Sequence, residues 1–463
     1  MIELGLVRIH KLLALTPLPW RAIHVAGTNG KGSVCAYVSA ILSYYNSSDL
    51  IRHTGHRPLV HARFTSPHLV DRWDCITINN DVVAKSVFDE VETLVKDRNT
   101  QQGIGASEFE ILTATAFEIF TRSNVDIGVV EVGMGGRLDA TNVLGQLPPG
   151  ERVPSDIDTE FYRPRPLATA ITSIGLDHQK FLGSDVTDIA AEKAGIIKAG
   201  VPVVASRQDD PQVEQVIVNR VESVKADGLT FVSQQTTARD IWMSNGGTEY
   251  TFDQDPIVQA RWPNGAIAVQ LAWKALKLWG RLSDAPTALL LETLNAICRI
   301  PDRTSWAGRL ETVDISALTG SQMSAVLDGA HNAQSARMLR EHVDSLADDN
   351  PTTWVLAASQ GKDINEMLRI LLRPGDSVFA VEFGAVDGMP WVAPQGSLEI
   401  IEQASMISTG PHQAFGRGIR RALAEAAKTS SFNNSRIVIA GSLYLVGDVV
   451  RLLRQGDDKV LHS

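Results

Sequence analysis

The chain has little with which to build a disulfide framework or a structural metal site. Its cysteines number three, Cys35, Cys75 and Cys298, an odd count at wide spacing with no C-x-x-C pair. Neither staples nor a zinc ribbon is indicated, and a reducing compartment is expected. No window approaches eighteen consecutive apolar residues, so no membrane-spanning helix is predicted. Basic residues are not in excess either: 43 Lys and Arg stand against 53 Asp and Glu, a formal net charge of −10. A binder of nucleic-acid backbones needs clustered cations instead. No internal repeat or low-complexity tract stands out. The opening residues, Met1 to Lys11, carry apolar side chains at helical spacing and an early Glu3, and lack the apolar centre of a secretory leader. The expectation is a cytoplasmic protein, with a mitochondrial pool as the alternative, and no nucleic-acid or membrane partner.

What is present is enough apolar material for two or three cores, 463 residues at 44% hydrophobic. From residue 21 to about 205, apolar strands alternate with helical patterns, the clearest strands being Ala22–Ala26, Ile127–Val132, Ala168–Ile174 and Val201–Ala205. Such alternation predicts an α/β fold with a mostly parallel sheet. Residues 46–63 and 145–166 read as polar surface insertions, and 206–260 as irregular with short β-prone pieces. A helix is expected over Gly265–Leu278 with Asn264 as its N-cap. A second alternating series contains Ala325–Leu327, Trp354–Ala358, Val378–Val381 and Ile437–Ala440. A hinge is predicted over 298–312, giving domains at 1–300 and 301–463.

Chemistry concentrates at strand ends. Gly27-Thr28-Asn29-Gly30-Lys31-Gly32-Ser33 follows an apolar strand and opens a helix. Glycines let the backbone curl its N–H groups inward, the helix adds its positive end, Lys31 can reach the outer phosphates, and the Ser33 hydroxyl can face a metal or a phosphate. The turn reads as a nucleotide phosphate cradle, with a chance glycine turn as the bland reading. The spacing departs from G-x-x-x-x-G-K-[ST], because Val25 stands at the first glycine position and Gly32 separates Lys31 from Ser33.

Glu131 ends another apolar strand, where a carboxylate can hold Mg²⁺ against phosphates; a solvated loop carboxylate is the competing reading. Asp177-His178 follows a third strand and can complete a metal shell, whereas a lone His is more often structural. Lys193, by pattern alone, is a solvated helix lysine. Asp328-Gly329-Ala330-His331-Asn332 ends a strand and opens a helix, so Asp328 can accept from ribose hydroxyls while Asn332 caps the helix. Arg309, in the predicted hinge, can deliver a guanidinium to phosphates or simply join a surface ion pair.

These motifs resemble the folylpolyglutamate synthase and dihydrofolate synthase family of the Mur ligase superfamily. The resemblance rests on Gly27 to Cys35, Thr65-Ser66-Pro67-His68-Leu69, Glu131 to Asn142, Glu192 to Lys198, Gly308 to Glu311 and Asp328 to Asn332, in order along nearly the whole chain. The Thr28-Asn29-Gly30-Lys31 variant, Gly388-Met389-Pro390-Trp391 and Gly441 to Leu445 look like the fungal dihydrofolate synthase branch. The resemblance implies an N-terminal P-loop mononucleotide-binding domain and a C-terminal Rossmann-like α/β domain. It implies an ATP- and Mg²⁺-dependent ligase that joins L-glutamate to dihydropteroate through an acyl phosphate, with addition of glutamate to tetrahydrofolate as the alternative, acting as a monomer.

By position, the resemblance assigns Ser66, Glu131 and His178 to magnesium. It gives the 27–33 turn, Asn264, Arg309, Asp328 and His331 to the nucleotide. Lys31, His178, Lys193 and Arg309 are the implied catalytic set, with Lys193 matching a lysine the family carries as a carbamate. Ser107, Glu108, Phe109, Leu138, Asp139 and Ala140 match substrate-contacting positions. The chain departs from the family pattern at Val258 to Arg261, just before Asn264, and at Ala307, where proline is usual.

Overall fold

The computed structural model describes residues 5–146, 163–247, 263–346 and 350–461. Two compact units emerge, one comprising Met1–Pro67 with Trp73–Thr304 and the other His68–Arg72 with Ser305–Ser463.

The first unit is built on β1 (Arg21–Ala26), β2 (His61–Phe64), β3 (Ile76–Ile78), β4 (Asp81–Val82), β5 (Ile127–Glu131), β6 (Ala168–Ile171), β7 (Val203–Ser206) and β8 (Leu229–Val232). Their order is β4-β3-β2-β5-β1-β6-β7-β8. The run from β2 to β8 is parallel, and β3 and β4 add an antiparallel edge. β1 and β5 bury nearly every residue because helices cover both faces of the sheet, which is why they read as continuous apolar runs. On one face the helix Lys31–Ser47 packs with Pro263–Leu278. On the other, Trp20 meets Phe117 and Phe120 of the helix Glu108–Arg122 edge-to-face, at ring distances of 5.1 and 5.2 Å. Each such buried aromatic contributes roughly 1.5–3 kcal/mol.

The second unit carries β9 (Glu311–Asp314), β10 (Ser324–Leu327), β11 (Thr352–Leu356), β12 (Ser377–Ala380), β13 (His412–Ala414) and β14 (Arg436–Ala440). They lie in the order β13-β12-β11-β14-β10-β9, parallel except for β9. Residues 68–72 belong with this unit for identifiable reasons. Arg451 donates to the Val70 carbonyl at 2.9 Å, and a Cβ on Gly447 would lie 2.0 Å from the Leu69 carbonyl oxygen.

Three sequence expectations fail here. Residues 46–63 are no surface insertion: they hold the helix Asp49–Thr54, with Leu50 and Ile51 buried, and the start of β2, an interior strand of the sheet. His61 hid that strand, yet its ring is buried and bonded to Ser39 Oγ at 3.1 Å and Ser43 Oγ at 2.9 Å. Of residues 206–260, 248–260 lie outside the described residues; 206–247 hold a short strand, β8, as expected, but are otherwise helical rather than irregular. The helix Pro211–Val224 starts at the Asp210 N-cap with Pro211 behind it, and Ala238–Ser244 starts at a Thr237/Asp240 capping box. Asn264 lies inside the first turn of Pro263–Leu278 rather than capping it. The altered residues 258–261 and most of 145–166 fall outside the described residues.

Candidate active site

The β1 turn is seated from the neighbouring strand. Gly27 has φ +149°, and a Cβ there would lie 1.7 Å from Thr172 Oγ1, just beyond β6. Only glycine fits so close an approach. Thr28 N–H donates to the Ser173 carbonyl at 2.8 Å, and Thr28 Oγ1 donates to the Gly175 carbonyl at 3.0 Å. Thr28 therefore anchors the turn with its own donors. Gly30, at φ +90°, is the N-cap of the helix Lys31–Ser47 and offers no side-chain cap; a Cβ there would meet Asn264 Oδ1 at 2.3 Å. No acidic side chain occupies that helix's first turn. Its orphan N–H donors and positive end are thus left for an external anion. Lys31 opens the helix, its Nζ donating to the Thr28 carbonyl at 3.2 Å and standing 3.9 Å from Glu131 Oε1.

Glu131 is buried at the end of β5 and accepts from Ser66 N–H on Oε2 at 3.1 Å. Arg63, on β2, was not singled out by sequence; burial pushes its guanidinium down to about 10, while Cys35 and Glu131 hold it up. A positive residue in a short buried strand facing a strand-end carboxylate was the available signal. Lys193 is the largest surprise against pattern. It is 4% exposed, and its Nζ donates to the Gly27 carbonyl at 2.9 Å. Burial above all, then the Lys31 charge, brings its pKa down to about 7, against the pull of Asp177 and Asp139. The lysine is therefore available as a neutral amine near physiological pH.

His178 takes the left-handed conformation at φ +53°, its own N–H bonded to Asp177 Oδ1 at 2.8 Å and its ring Nε2 4.0 Å from Asp177 Oδ2. Lys31, Glu131 and Ser66 come together, as do Lys193 and Gly27. Among the described residues, no three His, Cys, Asp or Glu side chains converge to hold an ion.

The positions assigned to substrate have structural duties of their own. Ser107 caps the helix Glu108–Arg122 in a reciprocal box with Glu110. Phe109 lies against Gly133, where a Cβ would approach its ring to 2.3 Å, and stacks on Phe64 at 6.3 Å. Asp139 is buried and accepts from Met134 N–H at 2.9 Å, Thr141 N–H at 3.0 Å and Thr141 Oγ1 at 2.5 Å. Thr141 Oγ1 thereby faces His24 Nε2, 2.8 Å away, as an acceptor. Burial, then Lys198, keeps His24 neutral well below its usual range, so the ring can donate from Nε2. Glu108 and Leu138 are partly exposed, and Ala140 is buried.

In the second unit, Asp328 directly follows β10 and accepts from Leu310 N–H on Oδ2 at 2.9 Å and from Ala330 N–H on Oδ1 at 2.8 Å. Burial pushes its carboxyl up; Arg309 and these bonds pull it back. Arg309 lies over Gly329, where a Cβ would be 2.4 Å from its Nη1. His331 Nδ1 donates to the Gly329 carbonyl at 2.8 Å. Asn332 caps the helix Ala333–Ser345.

A probable dihydrofolate synthetase of Schizosaccharomyces pombe is 32% identical over 98% of this chain and 99% of its own length. The dihydrofolate synthetase of Saccharomyces cerevisiae is also 32% identical, over 97% and 98%. The chain belongs to the dihydrofolate synthetase family. The model of the dihydrofolate synthetase C-terminal domain matches residues 311–452 of this family member. Solved structures share the fold: a Mycobacterium tuberculosis folylpolyglutamate synthase complexed with ADP (TM-score 0.72, 24% identity, 98% of this chain and 95% of that one). A Yersinia pestis bifunctional folylpolyglutamate synthase/dihydrofolate synthase complexed with AMPPNP and Mn is similar (TM-score 0.68, 23%, 98% and 94%).

The residues of this dihydrofolate synthetase family member fit a magnesium nucleotide. The helix that follows the turn has no side-chain cap and no acidic residue in its first turn, and a lysine stands beside a buried carboxylate. An incomplete set of protein ligands suits Mg²⁺, which usually takes one or two carboxylates and completes its shell with phosphate oxygens and water.

Proposed function

We propose that the chain joins L-glutamate to 7,8-dihydropteroate at the expense of ATP, giving dihydrofolate, ADP and phosphate. The observation that carries this reading is the uncapped Gly27–Ser33 turn with Lys31 Nζ 3.9 Å from Glu131, in a chain whose fungal relatives bear that activity's name.

A free carboxylate is a poor electrophile. Its oxygen attacks the γ-phosphorus, the bond to the bridging oxygen breaks, and ADP leaves. The amino nitrogen of glutamate then attacks the acyl carbon, phosphate departs, and the nitrogen loses a proton. The protein's part is positioning and charge stabilisation. First-turn N–H groups hold the phosphates, and Lys31, with Arg309 by resemblance, disperses charge on the moving phosphoryl group. Mg²⁺, held through Glu131, Ser66 and His178, would neutralise the polyphosphate. Lys193 is suited to capture carbon dioxide because only a neutral amine attacks it, and the resulting carbamate turns a buried cation into an anionic ligand. Asp328 and His331 bear on the nucleotide by the same resemblance. The protein acts as a cytoplasmic monomer.

The test is ADP release from purified protein with dihydropteroate plus glutamate, against tetrahydrofolate plus glutamate. Turnover with dihydropteroate is expected, and turnover with tetrahydrofolate alone would replace this reading with folylpolyglutamate synthesis. ¹³C-bicarbonate should give a carbamate resonance that disappears in Lys193→Met.

A further inference from the structure

The second unit holds an arginine cleft that none of the chemistry above employs. Arg417, Gly418, Arg420 and Arg421 from the start of the helix Ile419–Asn433 face Asp448 and Arg451 of the helix Leu443–Leu461 across a cavity of about 340 Å³. Asp448 is the single carboxylate among the described lining residues, and it is committed. Its Oδ1 accepts from Arg451 at 2.5 Å and its Oδ2 from Gly384 N–H at 2.8 Å. Arg451 is committed too, since it also donates to the Val70 carbonyl. Arg417, Arg420 and Arg421 make no ion pair or side-chain hydrogen bond among the described residues, and all three are exposed.

Their placement runs against local electrostatics. A helix N-terminus carries positive partial charge and favours acidic neighbours. Here the first turn contains no acidic residue, Gly418 supplies no side-chain cap, and three guanidiniums gather instead. Arg421 lies over the helix start, so that a Cβ on Gly418 would be 2.9 Å from its Nε and Nη2. Natural sequences break a local rule of this kind chiefly where a function needs it. One carboxylate would offset one of these charges. A compact ligand with two or more charges and several oxygens, as in a diphosphate, can take forked donation from three arginines and the N–H groups of Arg420 and Arg421, which lack intrahelical acceptors.

We propose that this cleft is a binding site for a small diphosphate-bearing molecule. Calorimetry on the full chain carrying Lys31→Ala, which weakens the glycine turn as a competing phosphate site, should detect inorganic pyrophosphate binding at fixed ionic strength. Adding Arg417→Ala/Arg420→Ala/Arg421→Ala should weaken it at least about tenfold with circular dichroism unchanged. Tighter binding of uridine diphosphate than of pyrophosphate would identify an organic diphosphate as the ligand, and equal binding would identify pyrophosphate itself. In the unmutated chain, pyrophosphate should shield Arg421 from phenylglyoxal, read by peptide mass. Absence of shielding, unchanged affinity in the triple variant, or equal affinity for citrate would overturn the proposal.

Discussion

Two strand ends that feed helices carry opposite solutions to the same problem. At the end of β1 the following helix has Gly30 as its cap, no acidic residue in its first turn, and donors left open. At the end of β10 the following helix is closed by Asn332 and Ser335 in a reciprocal box, while both oxygens of Asp328 are occupied by loop N–H groups. A parallel sheet presents strand ends and helix starts together in either case. Whether such a junction is an anion cradle or a self-satisfied acidic turn depends on where the side-chain acceptors are placed.

The sharpest break in that comparison is at Lys193, held under the β1 turn. Below about pH 7 its ammonium is protonated in both folded and unfolded chains, and the full cost of burying the charge is present. Between about 7 and 10.5 only the unfolded chain keeps the proton, so stability should rise with pH. The rise is bounded at about 5 kcal/mol. Burial also brings Lys198 down to about 7, so urea unfolding in carbonate-free buffer at several pH values should show the combined slope of the two lysines in the parent chain, and Lys193→Met should lose its own share of it while that of Lys198 remains.

Lys31→Ala should reduce the rate of ADP formation about a thousandfold, about 4 kcal/mol in the barrier. Its urea midpoint should hardly move, because Lys31 makes one hydrogen bond and a loose ion pair within the protein. A midpoint that fell in step with the rate would make the cradle a structural turn. At the β10 turn the ranking should invert, with fold stability the first casualty. Asp328→Ala strands the N–H groups of Leu310 and Ala330 and should cost about 2–3 kcal/mol by urea unfolding. Asn332→Ala removes a cap alone and should cost about 1 kcal/mol, read in the same way.

Much of this contrast was legible beforehand, because it is written in local backbone demands. Gly27 and Gly30 are needed for positive φ and close approach, and Glu131 ends a run of apolar residues. What escaped the sequence was burial of polar side chains. His61 disguised β2 as a polar insertion, although two serines from the helix Lys31–Ser47 satisfy its ring. Arg63 looked like surface and is 9% exposed beside the site. Ser107 fits a substrate contact by resemblance, while its Ser-x-x-Glu spacing equally spells a capping box, and the structure forms that box. The Asp210-Pro211 helix start was a readable signal that the polar composition of its surroundings obscured.

By itself, the sequence determined the alternation of strands and helices, the glycine turn and the strand-end carboxylates, since period, φ preference and chain order are properties of neighbouring residues. Only the tertiary structure decided that Lys193 lies under the Gly27 carbonyl with a pKa near 7 and that three arginines of one helix start face a cleft. A side chain's charge state and partners are set by desolvation and by groups distant in sequence, and these exist only once the chain has folded.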